Sequence, residues 1–204
     1  MVVSWADART AFSDAAGSFL RTVSLVEDRW AEPGLGEWDV RALVGHTSRA
    51  LLTVETYLDR PAAAVEVASA VDYFSAATAT GDPAAVTARG RDAGEALGPA
   101  PAAAVAEIAE RVLALVGTRD GSELVTTIAG GMRLVDYLPT RTFELVVHTL
   151  DLARALSAPL EIPARPAAQA LALVADLAVT RGRAGDLLLL ATGRPGPAAG
   201  FSVL

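Results

Sequence analysis

The chain has 204 residues, enough to bury a substantial core in one domain, and its net charge of −7 argues against a nucleic-acid-binding surface. It contains no cysteine, which excludes disulfides, thiolate metal sites and cysteine nucleophiles, so any metal must be held by His and carboxylate. Apolar residues make up 52% and aromatic residues only 5%, so the core must be built from small side chains on closely packed helices. Mean hydropathy is +0.37, yet no segment runs long enough without a charge or helix breaker to read as a membrane span. The opening "MVVSWADARTAF" lacks a basic region followed by an apolar stretch, and the expected location is cytoplasmic.

In chain order, Trp5, Ala8, Phe12, Ala15, Phe19, Val23 and Val26 recur at helical spacing. Ser4 is the N-cap, and the first helix is predicted to end near Trp30, before "EPGLG". "GLGEW" reads as a turn. Asp39 caps a second helix that closes at Pro61, with Val40, Leu43, Val44, Leu51, Val54 and Leu58 on its apolar face. A third helix is predicted over residues 62–79, stopping at "TGDP". Asp82 with Pro83 opens the next helix, and the pattern resumes after "GPAP" with Val105, Ile108, Val112 and Leu115, as one bent helix or two. Residues 121–137, "GSELVTTIAGGMRLVDY", read as a short strand or an irregular loop. Helices follow over 138–157, 165–182 and 184–193, and a Gly/Pro-rich tail is expected to lie extended on the body. The fold class predicted is all-α, a bundle of about four long helices with shorter ones. Residues 1–156 form the bundle in this reading, and 157–204 a short helical extension packed on it.

The chain has two histidines, and they fall on different predicted helices. In "TRTFELVVHTLDL" Glu144 and His148 are four apart, about 40° apart around the helix axis, so both side chains lie on one face. Arg141 and Asp151 continue that polar stripe on a helix that is otherwise apolar. His46 sits on the second helix beside Leu43, Val44, Ala50 and Leu51, where an unpaired imidazole is costly to bury, with Arg49 and Thr53 one and two turns on. His46 is therefore the natural third ligand, and two imidazoles with one carboxylate suit a divalent first-row metal, zinc most simply. Spacing alone leaves a second reading, in which the two histidines are hydrogen-bonded core residues. Asp151 either orients His148 through its other ring nitrogen or pairs with Arg154. Arg49 and Arg141 are candidate substrate contacts or ion-paired side chains. The carboxylates Glu27, Asp28, Glu32 and Glu37 read as surface, and no nucleophile elbow, P-loop or dinucleotide fingerprint is present.

"PGLGEWDVRALVGHTSRALL", "RTFELVVHTLDLARAL" and the closing "LLLLATGRPGPAAGFSVL" resemble, in order, three signatures of a family related to mycothiol-dependent maleylpyruvate isomerase. The resemblance covers nearly the whole chain. It implies a DinB-like four-helix bundle of up-down-down-up topology with a metal at one end of the core, the ligands mapping to His46, Glu144 and His148. Many DinB-like proteins use three histidines; the isomerase branch resembles this chain in having a Glu in the middle. The implied chemistry is thiol-assisted isomerisation or S-transfer on a small electrophilic substrate, with Zn2+ as the metal and mycothiol as cosubstrate. The partners implied are a small-molecule substrate and a low-molecular-weight thiol, with no nucleic acid or membrane, and the chain a monomer or homodimer. The isomerase itself carries a larger α+β domain after its bundle, with an arginine important to activity. Arg181, Arg183 and Arg194 lie in residues 157–204, and none matches that arginine. The competing classes are a non-catalytic bundle acting as a ligand-binding or interaction module, and a metal-dependent hydrolase.

Overall fold

The computed structural model describes residues 3–79, 82–196 and 200–204. Helix α1 spans Trp5–Val23, α2 Val40–Leu58, α3 Ala70–Ala79, α4 Pro83–Ala96, α5 Pro101–Gly117, α6 Leu134–Ala155, α7 Ala164–Thr180 and α8 Ala184–Ala191. Two short antiparallel hairpins interrupt them: β1 Pro33–Leu35 with β2 Trp38–Asp39, and β3 Leu124–Thr127 with β4 Gly130–Arg133. Among the described residues, no helix is long and apolar enough to cross a membrane.

Helices α1, α2, α5 and α6 build the core, and the fold is an all-α bundle. Helix α1 packs against α5 and α6, and α2 packs against the same two, so α1 and α2 lie across the core from each other. The stripe Ala8, Phe12, Ala15, Ala16 and Phe19 on α1 is fully or almost fully buried, and its alanines let neighbouring backbones approach closely. Helix α7 leans on α1 and α6 through Leu177 and Ala178, both fully buried, and α8 packs on α7. At the chain end Val203 is buried and Phe201 lies under the guanidinium of Arg183, 4.7 Å from ring centroid to Cζ.

The capping residues act as the sequence predicts. Ser4 Oγ accepts from the Asp7 amide, Asp39 from Ala42 and Asp82 from Ala84. "GLGEW" is the turn of the β1–β2 hairpin, and the break at 97–100 separates α4 from α5 as two helices.

Three expectations are corrected. The first helix ends at Val23, because the Ser24 amide closes onto Leu20 and Thr22 and the chain then turns, with Glu27 left-handed at φ 53°. Val26 beyond the turn is still fully buried, so apolar spacing outlasts the helix. The third helix begins at Ala70, not 62. Its true cap is Ser69, whose Oγ accepts from the Asp72 amide. Residues 60–67 instead run along the β3–β4 hairpin: Ala62 donates to Leu124, Thr126 to Arg60, and both Glu66 and Val67 to Gly131. A Cβ at Gly131 would stand 2.1 Å from the Ala64 carbonyl oxygen, so only glycine admits this crossing. Lastly, residues 121–137 hold two paired strands, and α6 starts at Leu134, four residues before the predicted start. The predicted stop of the third helix at residues 80–81, the first two residues and 197–199 of the tail lie outside the described residues.

Candidate metal centre

Helix α2 brings one histidine to the core and disposes of its other polar groups locally. The hydroxyls of Thr47, Ser48 and Thr53 donate to the carbonyls of Leu43, Val44 and Arg49 one turn earlier, so they need no partner from a neighbouring helix. His46 has no such outlet, and its Nδ1 is buried without a hydrogen-bond partner among the described residues. Burial first, and then the neighbouring His148, lower its pKa from 6.5 to about 4, so this imidazole is neutral at physiological pH.

Helix α6 supplies the rest of the cluster. His148 and Glu144 meet at 3.2 Å between Nε2 and Oε2, and His148 Nδ1 lies 3.0 Å from Asp151 Oδ2. The His46 and His148 rings meet edge to face with centroids 4.8 Å apart. Burial works to lower the pKa of His148, but hydrogen bonds to Asp151 and Glu144 outweigh it and raise it to about 9. Burial pushes Glu144 the other way, yet His148 and Arg141 hold its carboxyl below the ordinary range.

One ligand atom from each of His46, Glu144 and His148 can be chosen so that all lie within 4.8 Å of one another, and this is the one such trio among the described residues. Three atoms so placed share a centre about 3 Å from each, and zinc bonds are about 2 Å long, so about an ångström of side-chain movement closes the set. The 3.2 Å His148–Glu144 contact already matches the roughly 3.3 Å edge of a tetrahedron with such bonds. The orphaned nitrogen of His46, the mixed imidazole–carboxylate donors and the carboxylate behind His148 all fit a divalent ion.

Arg141 is 8% exposed and has no carboxylate within ion-pair distance among the described residues. Its Nε donates to Thr140 and its Nη2 to the Tyr73 hydroxyl, while its Cζ lies 5.2 Å and 5.1 Å from the ring centroids of Tyr73 and Tyr137. The Tyr137 hydroxyl donates to Thr53 Oγ1 and so ties α6 to the polar stripe of α2. Arg49 is half-buried, and its charge and that of Arg141 both act on His46. Arg181 donates to Thr78, Arg183 pairs with Asp186, and Arg194 reaches the Thr192 carbonyl.

The sequence reading missed Tyr73 and Tyr137. Tyr137 stands four residues before Arg141 and would have joined its stripe had α6 been started at Leu134. Tyr73 arrives from α3, and no spacing announces it. Trp38 lies within "PGLGEWDVRALVGHTSRALL", but no spacing announces its contact with His46, centroids 4.4 Å apart.

A family model described as mycothiol maleylpyruvate isomerase N-terminal domain matches residues 9–153, a span that contains the whole trio. Comparison with curated proteins and with solved structures found no match.

Proposed function

From the premise that the chain belongs to the mycothiol maleylpyruvate isomerase N-terminal-domain family, we propose that it is a metal-dependent enzyme that uses a low-molecular-weight thiol on a small electrophilic substrate. The observation that carries this is the convergence of His46, Glu144 and His148 from two helices to within 4.8 Å. A divalent ion held there, zinc most simply, would supply a Lewis acid that lowers the pKa of a coordinated thiol or water.

The chain's own residues prepare that chemistry. His46 offers a neutral nitrogen, because its burial has already removed its proton. Asp151 keeps a proton on Nδ1 of His148, which fixes the tautomer and aims Nε2 at the centre. Glu144 brings one negative charge, leaving the loaded site net positive. Arg141 and Arg49 add positive charge beside it and serve as substrate contacts. The reaction is thiol-assisted isomerisation or S-transfer, with mycothiol as cosubstrate. The protein is cytoplasmic, residues 1–156 carry the site, and residues 157–204 form the packed extension.

A second reading has one observation in its favour: a protonated His148 between Glu144 and Asp151 is already satisfied, as a metal-free structural bundle would require. Metal analysis of the purified protein beside His148→Ala separates the two. About one divalent ion per wild-type chain and none in the variant is the expected result. Equal metal in both would overturn the proposal.

A further inference from the structure

The two histidines of the centre are held by different means. His148 has a carboxylate behind it, the usual device for fixing a metal-binding imidazole. His46 has none: no hydrogen bond reaches either of its ring nitrogens among the described residues, so whichever one takes a metal, the other has no acceptor behind it. Lying against His46 is the indole of Trp38, its centroid 4.4 Å away and its plane tilted by 33°.

Trp38 is itself clamped. It is 9% exposed, and its Nε1 donates to the Thr87 carbonyl on α4 at 2.9 Å. A Cβ at Gly90, one turn along α4, would stand 2.5 Å from the indole, so α4 presses bare backbone against the ring. Helix α4 also meets α2 beside His46: a Cβ at Gly45 would fall 2.2 Å from the Gly94 nitrogen. Arg41 locks this crossing by donating to the carbonyls of Gly94 and Gly98. Gly45 precedes His46 in the chain, so the backbone of His46 is fixed by α4 on one side and its ring by Trp38 on the other.

We propose that α4 is the buttress of the His46 half of the centre, with Trp38 as a positioning residue that sets the His46 ring by aromatic stacking in place of a hydrogen-bonded acceptor. The consequence for metal affinity rests on the function proposed above; the positioning itself does not. Mutation of an outer-shell partner of a metal-binding histidine characteristically costs 10–100-fold in metal affinity. Gly90→Ala tests this most cleanly, because it displaces the indole without touching His46.

Two measurements separate the claims. With only two histidines, the imidazole region of the NMR spectrum contains two rings, assigned by comparison with His148→Ala. In the wild type the His46 ring protons should be shifted by the indole ring current. That shift should collapse in Trp38→Leu and Gly90→Ala, be partly retained in Trp38→Phe, and leave His148 little changed. His46 protons at unshifted positions in the wild type, or unmoved in the folded variants, overturn the positioning role without reference to any metal. Titration with Co(II) then reads the consequence: about a tenfold or greater loss of affinity in Trp38→Leu and Gly90→Ala, with partial rescue by phenylalanine. Equal Co(II) affinity across these variants overturns the buttress as a determinant of the centre. A wild type that binds no Co(II) would overturn the metal function instead, and the NMR result would still decide the positioning.

Discussion

Metal binding should expel a proton, and the structure says from where. His148 has a pKa of about 9 because Asp151 and Glu144 outweigh its burial, so near neutral pH it is charged in the metal-free protein. His46, at about 4, is already neutral, and Glu144 is already ionised. Coordination through Nε2 of His148 therefore requires the loss of about one proton per metal ion. Calorimetric titration with Zn2+ in buffers of different ionisation enthalpy, at about pH 7.5, should give a slope of about one proton released. Release should fall towards zero above pH 9 and climb above one as the pH approaches 4, where His46 begins to be protonated. The apparent affinity should rise about tenfold per pH unit below 9 and level off above it. The same histidine sets a stability window in the metal-free protein. Its folded pKa lies above the ordinary 6.5, so its contribution is complete below 6.5 and is lost as the pH rises through 9. The gap is worth on the order of 3 kcal/mol, for a side chain only 16% exposed. The loaded protein should not show that loss. Stoichiometric metal binding at pH 7.5 with no proton release would refute this reasoning, since His148 could not then be the ligand that gives up its proton.

Two further outcomes follow from the geometry. Asp151→Asn removes the carboxylate behind His148, and competition with a chromophoric chelator should find the metal bound about 10–100-fold more weakly, by a chain with unchanged helix content. Gly131→Ala places a methyl group against the Ala64 carbonyl, and denaturant unfolding should show a loss of about 1–3 kcal/mol with metal stoichiometry intact; a neutral result would contradict the packing of residues 60–67 on the hairpin.

Much of this was legible in the sequence because it is local. Ser4, Asp39 and Asp82 cap helices through their own side chains, and apolar spacing marks the bundle helices. Glu144 and His148 share a helix face by arithmetic, and scarcity pointed to His46 as their partner. What escaped is tertiary. "AAAVEVASA" has good helix formers, but most of it stays out of a helix because the carbonyls of Leu124 and Gly131 accept from the amides of Ala62, Glu66 and Val67. Val26 keeps the apolar rhythm past a turn that the rhythm does not reveal. Tyr73 reaches Arg141 from α3, and the indole against His46 is pinned by α4, so neither contact leaves a pattern within one element.

The ring order of the bundle constrains how the chain can acquire its structure. Helices α1 and α2 are the first to be synthesised, yet they lie diagonally and scarcely touch. Phe12 and Phe19 on α1 wait for partners on α5 and α6, more than eighty residues further along, whereas α2 finds its first partner in α4. No early helical hairpin can shelter the α1 face, so it must remain exposed until α5 and α6 emerge. Folding of this bundle is thus a late and collective event, slower than its helical content alone would suggest and open meanwhile to chaperones or to aggregation.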